Sequence, residues 1–434
     1  MDKMADVLGR AGAWCGQNKY LSAIKNAFQN FMPLTIAGAI GVLWCNVLVN
    51  ETTGLGMFFK PIMALDFLNP AFQAVNFCTI SCITVGITLG IAQEIGIWNM
   101  GAEKAGYIPG LVGLAAWLSV TNTSHMVDGA KEAFTGVAGN ELGATGLFTG
   151  MIIGVLSVEL FCFFENKDAL KIKMPEQVPP GVARAFEVLV PATITLIITA
   201  CIGSACYNLT GLYLNDVIKN GVQGPLGAVG ATVPGVMIIY LVIMLFWLVG
   251  IHGNNMLSAV KEALFTPLAL ENVEAFNKGE TPKNIINMYA LQMWGEFGGS
   301  GVTIGLVIAI MIFGKREDNK AIATLSLVPG LFNINETVTF GIPMVLNPIL
   351  GIPFVVAPLV TIIIGYVLTV IGFCPVACLT VPWTTPPIVF GFLACGANVM
   401  GAVTQAILIV VSTVIYTPFL ISYEKYQNKQ AAEA

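Results

Sequence analysis

From Ala321 to Tyr423 the chain carries one charged side chain, Glu336, and no Lys, Arg, Asp or His. No water-facing surface can be built from such a stretch, since soluble domains carry roughly 25% charged residues. The whole chain agrees: 434 residues, 56% hydrophobic and 10% charged, with a mean hydropathy of +0.79. Backbone amides in lipid must be satisfied within their own segment, which favours helices. The fold class is therefore an all-α polytopic membrane protein whose solvent is the lipid bilayer. A net charge of −5 leaves no basic footprint for nucleic acid.

A crossing needs roughly 20 apolar residues. Candidate spans lie near 31–49, 77–97, 106–120, 143–165, 187–208, 228–250, 286–313, 353–373, 387–399 and 401–422, which suggests about ten crossings. The stretch 211–228, GLYLNDVIKNGVQGPLGA, is too polar to span and reads as an amphipathic linker helix. It divides the chain into an N-terminal five-helix bundle, 1–210, and a C-terminal domain, 229–434. Lys and Arg set orientation. Lys3, Arg10, Lys19 and Lys25, the 165–184 loop, 314–320 and the tail with Lys425 and Lys429 are placed in the cytoplasm. Both termini are then cytoplasmic. The second half does not alternate cleanly under that assignment, so something between 252 and 285 must dip in and return, or leave the membrane and come back. The N-terminus is polar before the first apolar run, and no cleavable signal peptide is evident. The ten cysteines are scattered, mostly in apolar runs, and read as buried inert thiols.

Four stretches in the second half break the apolar rule. FWLVGIHGNNML holds Trp247, His252, Gly253, Asn254 and Asn255. QMWGEFGGSG holds Trp294 and Glu296. NINETVTFGIPMVLNP holds Asn333, Asn335 and Glu336, and VPWTTPPIVFG holds Trp383. Each joins hydrogen-bonding groups or an indole to Gly or Pro. Broken helices at membrane depth are tolerated where backbone is buried in protein or lines a wet cavity, and ionisable groups there mark functional sites by default. Each residue also has a plainer reading. His252 could cap a helix end, Glu336 could sit neutral in a core, and Glu296 could pack or cap. The tryptophans could form an interfacial belt, and Asn333 and Asn335 could be turn formers. His125 reads as a loop residue.

Carboxylates, amides, an imidazole and indoles together suit a carbohydrate. Hydroxyls donate to carboxylates, and the C–H faces of a sugar pack on indole rings. No basic cluster within the spans would grip an anion, so the expected substrate is neutral. No HExxH, CxxC pair or Ser/His/Asp grouping is evident, His252 alone in its span cannot build a metal site, and no cofactor is expected. An ion-coupled secondary sugar transporter using Glu336 or Glu296 as its coupling site is the alternative.

GLFNINETVTFGIPMVLNPILGIPF, IHGNN and VPWTTPP together resemble the membrane subunit, enzyme II C, of the bacterial sugar phosphotransferase system. The likeness is to the lactose/cellobiose/diacetylchitobiose family, most of all to its N,N′-diacetylchitobiose branch, and it covers essentially the whole chain. The resemblance implies a homodimer in the bacterial cell membrane, with about ten transmembrane helices and two re-entrant hairpins. The N-terminal five helices would build the dimer interface and the C-terminal domain would hold and move a disaccharide. It implies a separate B subunit, phosphorylated on cysteine, as phosphoryl donor to the sugar 6-hydroxyl. His252 and Glu336 match the residues that contact that hydroxyl, and either could be the base. Trp383 and Trp247 are the stacking candidates. Asn255, Asn254, Asn333, Asn335, Glu296, Trp294 and Gly253 complete the expected site.

Overall fold

The structure, a computed structural model, describes residues 10, 13–14, 17–51, 55–125, 133–175, 177–342 and 344–433. Lys3, one of the orientation markers, lies outside the described residues. Two compact units result: one of Gln17–Gly38 and Ala74–Gly227, the other of the described residues of Met1–Gly16, Ala39–Gln73 and Ala228–Ala434.

In the first unit the helices Ile83–Met100, Ile108–Val120, Ala144–Glu165 and Pro180–Thr210 pack together. Ala116, Trp117, Val120 and Ile153 form a core that Leu196 and Leu214 help cover. Small residues allow close approach, as is usual between helices in lipid; a side chain at Gly113 would run into Ala92. At one end of Ala144–Glu165 the buried Glu165 carboxylate takes Lys104 at 2.9 Å and Arg184 at 2.8 Å. At the other end Ser124–His125 pairs antiparallel with Phe134–Thr135.

The second unit is built from interrupted helices. Val233–Leu248 ends in a turn, Gly253–Met256, before Ser258–Asn277. That 20-residue helix occupies much of the 252–285 segment and carries Lys261, Glu262, Glu271 and Glu274, too many charges to cross a bilayer unaided. Met288–Val302 and Ile304–Phe313 form a bent pair, kinked by 60°. Gly298, Gly299 and Gly301 all have positive φ just before the kink, a conformation glycine adopts without strain. Glu317–Leu331, Glu336–Gly341, Gly351–Val370, Val389–Ala394 and Val399–Glu433 follow.

Five of the described helices are long and apolar enough to cross a membrane, or seven if each bent pair is one span. Ile108–Val120 and Val233–Leu248 are apolar but shorter. The expected span at 387–399 is not one: its helix covers only Val389–Ala394. Pro386 and Pro387 stop a helix from starting earlier. Ile388 has φ +76° and Gly396 φ +72°, so the chain turns at both ends. A β-branched residue at positive φ is strained. The buried Gln405 amide holds that conformation, accepting from the N–H of Ile388 at 2.7 Å and of Gly391 at 2.8 Å. The nine described cysteines are free.

Candidate functional site

The four unusual stretches converge in the second unit, and a run of hydrogen bonds joins them. Asn254 Nδ2 donates to Ser300 Oγ at 3.0 Å, and Asn335 Nδ2 donates to the Ser300 carbonyl at 2.8 Å. Asn333 Oδ1 accepts from the Gly298 N–H at 2.6 Å. Its Nδ2 donates to the Trp383 carbonyl and, at 3.1 Å, to that of Thr385. Asn333 is at φ +63°, a left-handed position that asparagine tolerates better than most residues. The asparagine stretch therefore staples the glycine loop to the Trp383 loop. Asn335 and Asn333 have both turn geometry and cross-links, and most of their polar atoms are spent on protein.

His252 starts the Gly253–Met256 turn, its Nδ1 accepting from the Asn255 N–H at 3.2 Å. A neutral imidazole whose Nδ1 accepts must carry its proton on Nε2. That Nε2 lies 3.8 Å from Glu336 Oε1, too far for a direct hydrogen bond. Both side chains are open, at 38% and 47% exposure, so Glu336 is not packed into a core. Gly253 is buried with the Ile243 carbonyl against its Cα; any side chain there would collide with it.

The three tryptophans differ. Trp247 is buried beneath His252, ring centroids 4.4 Å apart, and packs on Phe340 and Phe354. Trp294 is buried over Gly365. Trp383 is 43% exposed with its backbone pinned by Asn333, and it alone of the three presents an open ring. Asn255 is exposed. Three buried polar atoms at the site lack a protein partner: Asn254 Oδ1, Trp247 Nε1 and Trp294 Nε1.

Glu296 sits at the C-cap of Met288–Gly295, where the helix dipole disfavours an acid. Two groups that the four stretches do not contain compensate. Tyr240 donates to its Oε1 at 2.7 Å, and Lys261 is ion-paired with the same oxygen. Lys261 is buried and also lies 5.5 Å from the Tyr240 ring centroid. Its signal was present in the sequence: it is the only Lys or Arg between Lys219 and Lys278. Among the described residues no group of three or more His, Cys, Asp or Glu could hold a metal.

The family model described as "Phosphotransferase system, EIIC" matches residues 25–358. The oligo-beta-mannoside-specific EIIC component of Bacillus subtilis is 32% identical over 98% of this chain and 94% of its own length. The cellobiose-specific EIIC component of Lactococcus lactis is 29% identical over 98% of each chain. Among solved structures, the transporter ChbC, the IIC component of an N,N′-diacetylchitobiose-specific phosphotransferase system, superposes with a TM-score of 0.88 at 30% identity, covering 97% of each chain. Apolar helices, a family match over most of the chain and a shared fold agree, and the chain belongs to the EIIC family of the phosphotransferase system.

Proposed function

We propose that the chain is the sugar-translocating membrane subunit of a phosphoenolpyruvate-dependent phosphotransferase system. It binds a neutral β-linked disaccharide of the cellobiose or diacetylchitobiose type. The observation that carries this is the single hydrogen-bonded frame around an open Trp383 ring and the facing pair His252 and Glu336. The names of the relatives favour the same sugars.

The chemistry follows from the tautomer. With Nδ1 occupied by the Asn255 N–H, neutral His252 can only donate from Nε2. Glu336 is then the acceptor, and therefore the base. A sugar 6-hydroxyl in the gap between them would accept from His252 and donate to Glu336. As O6 attacks the phosphorus of a phosphocysteine on a B subunit, its proton passes to Glu336, the P–S bond breaks and the thiolate leaves. The phosphoryl donor belongs to another chain. Asn254 Oδ1, unpartnered on a partly open residue, suits a further sugar hydroxyl, whereas Trp294 is packed into the frame. Trp247 serves as the platform that fixes His252, while Trp383 stacks on a sugar ring. The protein works as a homodimer, with the dimer interface on the 1–210 bundle, both termini cytoplasmic and the C-terminal domain moving the sugar.

Cells supply the direct test. Sugar should accumulate as its phosphate only when the B subunit is present. Without that subunit the chain should at most equilibrate free sugar. Concentrative uptake of unmodified sugar in its absence would instead identify an ion-coupled transporter.

A second expectation concerns Trp383. Trp383→Ala should weaken disaccharide binding by about 1–3 kcal/mol, by analogy with aromatic–base stacking, and Trp383→Phe should keep most of the affinity. Parental calorimetric titrations for both variants would show that the ring does not touch sugar.

A further inference from the structure

The hairpin that carries Trp383 closes on two cysteines. After the helix Gly351–Val370 the chain runs through Cys374, Trp383 and the short helix Val389–Ala394 to Cys395. The two ends of this segment lie side by side. The N–H groups of Cys378 and Leu379 donate to the Ala394 carbonyl at 2.8 and 3.1 Å. Beside those bonds Cys374 Sγ and Cys395 Sγ stand 3.9 Å apart. Both thiols donate to one acceptor, the Pro375 carbonyl, at 3.4 and 3.3 Å. The two residues are 21 apart in sequence, so only the hairpin brings their sulfurs into contact.

The rest of the protein holds both arms of this neck. On the first arm, Asn272 Nδ2 and Asn287 Nδ2 donate to the Ala377 carbonyl at 3.0 and 3.1 Å, and the Tyr289 and Thr380 hydroxyls bond at 2.6 Å. On the second arm, Gln405 Oε1 accepts from Ile388 and Gly391. The separation of the sulfurs is therefore fixed by the fold. A disulfide needs an S–S distance of about 2.05 Å, so each sulfur has about 1 Å to travel, which rotation about the Cα–Cβ bonds can supply. Cys374 and Cys395 are 2% and 4% exposed, a burial that shuts out bulky thiols such as glutathione and the cysteines of other chains. Cys378, also buried, lies over Gly396.

We propose that Cys374 and Cys395 are a redox modification site, closed to an intrachain disulfide by hydrogen peroxide. One cysteine, as its thiolate, attacks a peroxide oxygen; the O–O bond breaks, and a sulfenic acid and water result. The second thiolate attacks the sulfenic sulfur, the S–S bond forms and hydroxide leaves, taking a proton to become water. Two thiols are oxidised, one peroxide is reduced and two waters are released. Because the sulfurs already touch, the sulfenic acid meets its partner before a second peroxide, and oxidation stops at the disulfide. The bond staples the neck of the hairpin in the geometry that the Ala394 carbonyl already sets, and the loop that presents Trp383 is closed covalently. The site stands on the thiol contact and not on the sugar reading.

The test uses full-length protein purified in detergent under reductant, then treated with hydrogen peroxide. Remaining thiols are alkylated after denaturation and the digest is mapped by mass spectrometry without reduction. Most molecules should yield a peptide cross-linked between Cys374 and Cys395, and Tm should rise by about 3 °C or more. Dithiothreitol should reverse both, and disaccharide binding should stay within twofold of the untreated protein. Cys374→Ser and Cys395→Ala should each abolish the cross-link and the Tm rise, while Cys378→Ala should abolish neither. The peptide map is read on the parent, so it carries the test if a variant does not fold. The proposal is overturned if both thiols remain alkylatable at a peroxide level that oxidises the exposed Cys78 and Cys201, if either is found as a sulfinic acid, or if the cross-link runs to Cys378. A cross-link without the Tm rise, or one that abolishes sugar binding, would overturn the staple.

Discussion

Glu336→Gln should lose more phosphoryl transfer than sugar binding. The substitution keeps the shape and one acceptor oxygen but removes the charge and the basicity. A hydrogen bond to a charged group contributes roughly 1.5–3 kcal/mol. Glu336 is half exposed before sugar arrives, so the lower figure applies, and binding should weaken about tenfold. Transfer from the phosphorylated B subunit should fall by a further ~10²–10⁴, the usual contribution of a positioned proton acceptor. His252 cannot substitute for it while its Nδ1 accepts from the Asn255 N–H. Single-turnover transfer from labelled B subunit, beside equilibrium sugar binding on the same preparation, separates the two losses. Parental rates for Glu336→Gln would move the base to His252.

Lys261→Met should give the largest loss of stability among single substitutions at the site. It leaves the Glu296 carboxylate largely buried with only the Tyr240 hydroxyl for company. Removing one partner of a buried ion pair costs about 3–5 kcal/mol, whereas replacing both by neutral groups of similar size is often near neutral. Lys261→Met combined with Glu296→Gln should therefore recover most of the lost Tm. Thermal unfolding of the two single variants and the double variant reads this directly, and strictly additive losses would show that the pair does not act as a unit. The double variant also asks whether the Glu296 charge serves sugar binding or only the frame.

The membrane class and the four polar stretches were legible in the sequence because both rest on local rules: too few charges to face water, and polar groups beside Gly or Pro where apolar residues belong. What the polar residues do was less legible. Asn333 and Asn335 read equally well as sugar contacts or turn formers. Their hydrogen bonds to Gly298, Ser300, Trp383 and Thr385 depend on chain segments brought together only by the fold. Trp247, Trp294 and Trp383 look alike in sequence, yet packing buries two and opens one. The apolar run at 387–399 has the composition of a span, but Pro386, Pro387 and the turn at Ile388 cut it to six helical residues. Lys261 lies outside the four stretches, and its partner Glu296 is distant in sequence. The same holds for the linker. Its polarity argued for a surface helix, yet Asn215 and Gln223 are buried.

In the proposed mechanism Glu336 holds the 6-hydroxyl of the sugar. The most direct measurement is a double-mutant cycle by calorimetry, pairing parent and Glu336→Gln with a disaccharide and its 6-deoxy analogue. Glu336→Gln should weaken binding of the natural sugar about tenfold and leave binding of the 6-deoxy sugar unchanged, a coupling of roughly 1.5 kcal/mol. Equal losses for both sugars, or none for either, would contradict it.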